Sequence, residues 1–117
     1  MKFSKNFEVT RSRVLGHMKK IELIKGDIFK SLPKYIKQNP HLVISLLYLD
    51  LDLYKPTKDT IKLLLNRIPK GGVICFDELN HQDYPGETIA TMEEIGIPNL
   101  QLHRFSFGTT MSYTIIQ

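Results

Sequence analysis

The sequence predicts an α/β domain with a mostly parallel sheet, because short apolar strands alternate with amphipathic helices along its 117 residues. Such alternation is typical of parallel strands joined by right-handed crossover helices. Residues 42–49 are almost continuously apolar, as in a strand covered on both faces. Residues 100–107 and 111–116 predict a C-terminal hairpin that adds an antiparallel strand at one edge. The predicted order, β-α-β-α-β-α-β-β, amounts to roughly half of a doubly wound sheet.

The first predicted elements are a strand over residues 21–25, which ends at Gly26-Asp27, and a short helix. We expect this helix to begin near Ser31, a residue type that caps helix N-termini. It should end at Asn39-Pro40, because the residue before a proline disfavours helical backbone. Its apolar face would consist of Leu32, Tyr35 and Ile36.

A second helix is predicted to start around Pro56, whose fixed φ suits the first turn. Pro69 and two glycines then turn the chain into strand Val73–Phe76. A third helix, over about residues 87–95, should stop at Gly96, which is a favourable residue just beyond a helix end. The second helix has one apolar face for packing on the sheet, at spacing i, i+3, i+4, i+7: Ile61, Leu64, Leu65 and Ile68.

Composition argues against a membrane or secreted protein. No apolar run approaches the roughly 18–20 residues that span a bilayer. The first residues lack the apolar region of a signal peptide, which favours a cytoplasmic location. The single cysteine, Cys75, has no intramolecular disulfide partner, and its place in an apolar strand predicts a buried, inert thiol.

The net charge of +4 is placed unevenly along the chain. Residues 1–20 carry +5, whereas residues 21–117 carry −1. We therefore expect a basic leader or remnant helix over residues 1–20 and an α/β part over residues 21–117. A basic arm can bind nucleic acid or an anionic surface. Because no aromatic interleaving or nucleic-acid motif accompanies the charges, a nucleic-acid partner is not expected.

Four carboxylates follow two predicted strands. Asp50 and Asp52 come at the carboxyl end of the strand over residues 42–49, where open α/β sheets bind ligands, and Asp77 and Glu78 end the next strand. Neighbouring strands lie about 4.8 Å apart, so the four groups can converge. Asp50, Asp77 and Glu78 could hold Mg²⁺, which prefers carboxylate oxygens and waters. Asp52 could take a proton from a bound hydroxyl.

Simpler roles compete with this hypothesis. The four acids could cap the helices that follow them, because carboxylates are favourable near helix N-termini. Asp27 could accept a hydrogen bond from a ligand amine or cap the next turn. His81 could donate to a sugar or an anion, although loop histidines are more often solvated. Tyr54 and Tyr84 flank the presumed pocket, where aromatic packing is the default role.

Several cofactor and nucleophile motifs are absent from the sequence. Its seven glycines form no G-x-G-x-x-G or P-loop, and it contains no G-x-S-x-G and no zinc-ligand spacing. A nucleotide-type cofactor in this fold normally lies on a glycine-rich first βα turn. The chain does not supply such a turn.

From about residue 21 to 117 the sequence resembles the C-terminal half of a class I S-adenosylmethionine-dependent methyltransferase. Within that class it is similar to metal-dependent sugar O-methyltransferases related to macrocin O-methyltransferase, including dTDP-6-deoxy-L-hexose 3-O-methyltransferases. Six segments carry the resemblance: IKGD (24–27), LP (32–33), YLDLDLYKPT (48–57), KGGVI (70–74), FDELN (76–80) and PGET (85–88).

The resemblance implies a partial Rossmann-like sheet and methyl transfer from S-adenosylmethionine to a hydroxyl of a deoxysugar or nucleotide sugar. It implies a Mg²⁺ held by Asp50, Asp77 and Glu78, with Asp52 as the general base and Asp27 near the cofactor adenine. Glu78 departs from the pattern, since much of the wider family has a second Asp there. The glycine-rich turn and the ribose-binding acid of the family would lie upstream of residue 1.

Two functions follow from these observations. The first is a partial, Mg-assisted sugar O-methyltransferase that alone binds S-adenosylmethionine weakly or not at all. The second is a non-catalytic binding or assembly module that pairs with itself or a partner through an exposed sheet edge, because an unpaired strand edge is prone to such pairing.

Overall fold

A computed structural model of the protein describes residues 21–108 and 110–117. The predicted basic leader, residues 1–20, lies outside the described residues. The helices are α1 Ile28–Gln38, α2 Tyr54–Leu64 and α3 Gly86–Glu94, with 3₁₀ turns at Leu65–Arg67 and Ile97–Asn99. The strands are β1 Leu46–Leu49, β2 Val73–Phe76, β3 Leu102–Arg104 and β4 Ser112–Ile115.

The strands form one sheet in the order β1-β2-β4-β3. β1 pairs with β2 in parallel, with Leu49 opposite Phe76. β4 is antiparallel to both β2 and β3. The sheet is therefore mixed, with β1, β2 and β3 running in one direction and the C-terminal hairpin contributing the antiparallel strand. The predicted edge position of the antiparallel strand is wrong, because the hairpin folds back to pair β4 with β2 and leaves β3 outside.

The hydrophobic core lies on one face of the sheet. Leu49, Ile74 and Phe76 point to this face and pack with Ile61 of α2. The predicted apolar face of α2 is confirmed, because Ile61, Leu64 and Ile68 are buried. Helix α3 packs against α2.

The opposite face of the sheet is less covered. Leu46 and Tyr48 of β1 are exposed to 59% and 48%, so the expectation of a strand covered on both faces is wrong among the described residues. Cys75 lies on the same face and is half-buried, so the prediction of a buried thiol is wrong. Its partial burial still raises the pKa of the thiol. The described helices thus leave one sheet face partly open.

Two elements near residue 21 differ from the prediction. Residues 21–25 form no strand, because no strand lies beside them within the described part of the chain, and Leu23 and Ile24 are exposed. α1 begins before Ser31: the side chain of Asp27 caps it by accepting a hydrogen bond from the Phe29 N–H at 2.9 Å. The predicted end of α1 at Asn39 is confirmed.

The remaining boundaries shift by a few residues. β1 comprises only residues 46–49, and α2 begins at Tyr54, two residues before Pro56. α3 stops where predicted, and Gly96 adopts a left-handed φ of 84° just beyond it. No helix in the described ranges is long and apolar enough to cross a bilayer.

Candidate active site

Three carboxylates gather where β1 and β2 end. Asp50, Asp52 and Asp77 each place one oxygen within 4.8 Å of the others. The register explains the meeting of Asp50 and Asp77, because each follows directly on one of the paired residues Leu49 and Phe76. The Asp77 N–H also donates to the Leu49 carbonyl at 3.0 Å, which extends the strand pairing to the acids themselves.

Asp52 reaches this group through a tight turn. Its φ is 58°, in the left-handed region, and the Leu53 N–H donates to the Leu51 carbonyl at 2.6 Å. This is a three-residue γ-turn centred on Asp52. The backbone at Asp52 therefore does not continue the extended conformation of β1. A non-glycine residue in this region costs on the order of 1–3 kcal/mol, and such residues cluster at functional sites.

The clustered acids perturb one another. A hydrogen bond with Asp77, followed by desolvation and by the charges of Asp77 and Asp52, raises the pKa of Asp50. Tyr48 approaches from β1, and its hydroxyl donates to Asp77 Oδ1 at 2.8 Å. This hydrogen bond is the main reason that the pKa of Tyr48 is raised to about 12. The site thus combines the closely spaced carboxylate oxygens of the aspartates, which accept hydrogen bonds, with one neutral donor, the Tyr48 hydroxyl.

Glu78 lies beside the three aspartates but not among them. Its Oε2 atom is buried and has no hydrogen-bond partner among the described residues. Burial, and then the charge of Asp52, raises the pKa of Glu78, while the nearby His81 opposes the shift. The structure therefore brings together Asp50, Asp52 and Asp77 and leaves Glu78 at their margin.

Glu87, in the first turn of α3, is a fully buried acid beneath this edge. Its Oε1 accepts the Glu78 N–H at 3.3 Å, and its Oε2 has no partner within the described ranges. Burial raises its pKa to about 7, and the charges of Asp77, Glu78 and Asp50 add to this. Glu87 thus connects the start of α3 to the strand end that carries the acidic pair.

Gly86 fixes the approach of α3 to the acidic segment. A Cβ atom on Gly86 would lie 2.5 Å from the Tyr54 nitrogen and 3.0 Å from the Leu53 carbonyl carbon. Only a residue without a side chain fits so close to another backbone. The first turn of α3 can therefore contact the first turn of α2, directly after the turn that holds Asp52.

The other predicted site residues lie apart from the carboxylate group or serve another contact. Asp27 caps α1, as its simpler interpretation expects. His81 Nδ1 accepts the Asp83 N–H at 3.2 Å, and its ring packs 5.3 Å from that of Tyr84. Tyr54 joins α2 to α3 through its hydroxyl, which contacts Glu93. A cofactor role for Asp27 stays a prediction.

Two residues of this edge, Tyr48 and Glu87, are not among the site residues predicted from the sequence. Tyr48 carries a detectable signal, since it precedes Asp50 by two residues on a strand and therefore shares its side. Glu87 carries no such sequence signal, because acids are common and favourable in the first turn of a helix. Only the tertiary packing shows that this acid is buried.

The chain matches the sequence model of the macrocin-O-methyltransferase (TylF) family over residues 6–94. No match was found among curated proteins. Two solved structures of CalS11, described as a TDP-rhamnose 3'-O-methyltransferase of calicheamicin biosynthesis and as a calicheamicin methyltransferase, are similar. The first is 31% identical with a TM-score of 0.86, over 97% of this chain and 51% of that one. The second is 34% identical with a TM-score of 0.81, over 90% and 41% of the two chains.

A third similar structure, the O-methyltransferase NovP, is 20% identical with a TM-score of 0.71, over 94% of this chain and 43% of that one. At this identity it shows a shared fold alone. The chain spans about half the length of the first CalS11 structure that it matches. Both the α/β, partial Rossmann-like fold and the resemblance seen in the sequence are confirmed, and the chain belongs to the macrocin-O-methyltransferase (TylF) family.

Proposed function

We propose that this chain is the metal- and acceptor-binding half of an S-adenosylmethionine-dependent, Mg-assisted sugar O-methyltransferase. One observation carries the proposal: Asp50, Asp52 and Asp77 converge at the carboxyl edge of a parallel strand pair in a member of a sugar O-methyltransferase family. CalS11 is named for a TDP-rhamnose substrate. The proposed acceptor is accordingly a hydroxyl of a deoxysugar, free or attached to a nucleotide.

The donor set fits a magnesium ion. Asp50 and Asp77, two of the three aspartates whose oxygens lie within 4.8 Å of one another, are close enough to share one ion, and Mg²⁺ prefers hard oxygen ligands and retained waters. A hydrogen bond with Asp77, burial and the charges of Asp77 and Asp52 raise the pKa of Asp50, and a divalent cation would offset the contribution of the two charges. Asp50 and Asp77 would hold the ion, and Glu78, whose Oε2 is buried and unpartnered among the described residues, is a further proposed ligand. When bound, Mg²⁺ supplies positive charge that stabilises an ionised hydroxyl.

Asp52 is the proposed general base. In this reaction class a hydroxyl oxygen displaces sulfur from a methyl carbon, so that one C–O bond forms, one C–S bond breaks and the hydroxyl proton leaves. The exposed carboxylate of Asp52 lies within 4.8 Å of both neighbouring acids and can accept that proton. The γ-turn presents its side chain at the rim of the site.

The chain does not by itself fit S-adenosylmethionine. Its sequence has no glycine-rich turn, and the Asp27 side chain caps α1. Asp27 remains the proposed contact to the adenine. We therefore expect weak binding of S-adenosylmethionine, or none, by this chain alone, and full activity only where a glycine-rich cofactor half is also present.

Isothermal titration tests the proposal. Native protein should give a saturable heat with Mg²⁺, which Asp50→Asn should abolish. Asp59→Asn, on α2 and paired with Lys55 at 3.7 Å, is the matched control and should bind Mg²⁺ normally. S-adenosylmethionine at millimolar concentration should give little heat.

Any methyl transfer to a TDP-deoxysugar, measured by mass spectrometry, should be lost in Asp52→Asn while Mg²⁺ binding is kept. Absence of Mg²⁺ binding by the native protein would contradict the proposal.

The exposed edge of the sheet supports a second candidate function, a non-catalytic assembly module. β1 has β2 as its one neighbour in the described sheet, and its exposed Leu46 offers apolar surface. In this case the protein should form a homo-oligomer in sedimentation equilibrium, and Leu46→Lys should dissociate it. An oligomer that persists in this variant would argue against pairing through β1.

Two smaller predictions remain open to experiment. Residues 21–117 are proposed as one α/β unit, which limited proteolysis should leave intact. The cytoplasmic location is proposed from the composition alone, and cell fractionation tests it.

A further inference from the structure

The hydroxyl of Tyr48 forms a hydrogen bond to one carboxylate oxygen of Asp77, at the end of the neighbouring strand. Tyr48 belongs to β1, whereas Asp77 follows β2, and the O···O distance between the hydroxyl and Asp77 Oδ1 is 2.8 Å. The register explains the reach: Tyr48 lies opposite Cys75, which precedes Asp77 by two residues. Side chains two residues apart on a strand share a face, so Tyr48 and Asp77 belong to the same side of the sheet.

This contact restricts the carboxylate of Asp77. One of its oxygens accepts the Tyr48 hydroxyl, and the carboxylate lies beside that of Asp50, with one oxygen of each within 4.8 Å. The hydrogen bond limits rotation about the terminal side-chain bond of Asp77, which is otherwise broad and roughly two-fold. The Tyr48 side chain is 48% exposed, so its hydroxyl is directed by this hydrogen bond more than by packing.

We propose that Tyr48 is a positioning residue that orients the Asp77 carboxylate for binding a divalent cation together with Asp50. The inference rests on the proposed magnesium site. Groups that hydrogen-bond to a metal-ligating carboxylate set its orientation, and their loss typically weakens metal affinity about 10–100-fold. Tyr48 acts through Asp77 and needs no contact with the ion, the sugar or the methyl donor.

The test compares native protein with Tyr48→Phe, which keeps the aromatic ring and removes only the hydroxyl. Mn²⁺ serves as the probe, and free Mn²⁺ is measured by electron paramagnetic resonance. We expect the dissociation constant to rise about 10-fold in Tyr48→Phe. The matched control is Tyr113→Phe, because Tyr113 also lies opposite Cys75 on the same sheet face and stacks on His103, and its hydroxyl has no hydrogen bond to an acid among residues 21–108 and 110–117. The control should bind Mn²⁺ as the native protein does.

A spectroscopic measurement separates positioning from general structure. The chain contains five tyrosines and no tryptophan, so tyrosine dominates its near-ultraviolet spectrum. Addition of Mg²⁺ should produce a tyrosine difference band that is lost in Tyr48→Phe and kept in Tyr113→Phe. The melting temperature of metal-free Tyr48→Phe should stay close to that of the native protein.

The outcomes distinguish this inference from the proposed function. If native protein and Tyr48→Phe bind Mn²⁺ equally tightly, the positioning role is overturned and the metal site stands. If the native protein binds no Mn²⁺, the metal site and the positioning role are both overturned. If Tyr113→Phe weakens binding as much as Tyr48→Phe does, the effect belongs to the sheet face as a whole, and the specific role of Tyr48 is rejected.

Discussion

Helices α1 and α2 have the same length but differ in how the fold uses them. α1 has a clear apolar face, yet no residue of α1 is buried. α2 buries Thr57, Thr60, Ile61 and Leu64 against the sheet and α3. Between the two helices lies a groove of about 240 Å³. An amphipathic pattern therefore predicts that a helix forms, whereas the neighbouring elements decide how much of its face is buried.

Single truncations of phenylalanine should give the largest contrast between the two regions. Phe76→Ala removes a fully buried side chain beneath the acidic edge and should lower the free energy of unfolding by about 3–5 kcal/mol. Phe29→Ala, in α1 and 43% exposed, should cost less than about 1 kcal/mol. Urea unfolding followed by circular dichroism measures both. Equal losses would mean that α1 belongs to the cooperative core.

The buried Glu87 should make the α2–β2–α3 unit sensitive to pH. Its pKa of about 7 in the folded protein lies above the ordinary 4.5, so the unfolded chain releases this proton at lower pH than the folded protein does. The contribution of protonated Glu87 to the free energy of unfolding is fully present below about pH 4.5. It is lost as the pH rises to about 7, which lowers the free energy of unfolding by about 3 kcal/mol.

Glu87→Gln cannot ionise and should lack this fall in stability between about pH 4.5 and 7. Denaturant unfolding at a series of pH values provides the measurement. The control is Asp83→Asn, an exposed loop acid, which should retain the native pH dependence. A Glu87→Gln profile parallel to the native one would contradict a buried acid with a raised pKa.

Gly86→Ala should disturb the contact between α3 and α2 more than any contact of α1. The new methyl group would overlap the Tyr54 nitrogen at 2.5 Å, and overpacking of this kind costs about 1–3 kcal/mol. Because Tyr54 follows the turn that holds Asp52, Mg²⁺ affinity should also fall. Thermal denaturation and titration with Mg²⁺ measure the two effects, with Ser106→Ala in an exposed turn as the control. An unchanged melting temperature together with an unchanged Mg²⁺ affinity would show that the backbones of α2 and α3 can move apart at no measurable cost.

The ion pair between Lys58 of α2 and Glu93 of α3 should have the smallest effect. The two charged atoms lie 2.7 Å apart, and hydrogen bonds to Glu93 and Tyr54 raise the pKa of Lys58. The pair is solvent-accessible, so a double-mutant cycle of Lys58→Ala and Glu93→Ala should show weak coupling that fades at high salt. Coupling that survives 1 M salt would indicate a desolvated pair.

The α/β order and the acidic edge could be predicted from the sequence because both depend on local patterns. Strand β2 and the apolar face of α2 are as the spacing of apolar residues predicts. Asp50 and Asp77 could be placed together because they follow two consecutive strands of the predicted parallel sheet. This inference needs only strand ends and the sheet spacing, not side-chain detail.

The remaining features depend on tertiary neighbours, which a single sequence does not show. Residues 21–25 have the apolar composition of a strand, but a strand also needs a partner for its backbone hydrogen bonds. The insertion of β4 between β2 and β3 depends on pairing between distant residues. The burial of Glu87 follows from how α3 packs, which the acid itself does not encode. The position of Glu78 outside the group of three aspartates is likewise visible only in the tertiary structure.

The positive φ of Asp52 limits which substitutions give a readable result at this position. Asparagine tolerates left-handed backbone at least as well as aspartate, whereas alanine and especially the β-branched residues are disfavoured there. Asp52→Ala would therefore alter both the charge and the path of the chain into α2. Asp52→Asn changes the charge alone, so the amide variant, and not the usual alanine scan, separates the chemistry of this residue from its conformation.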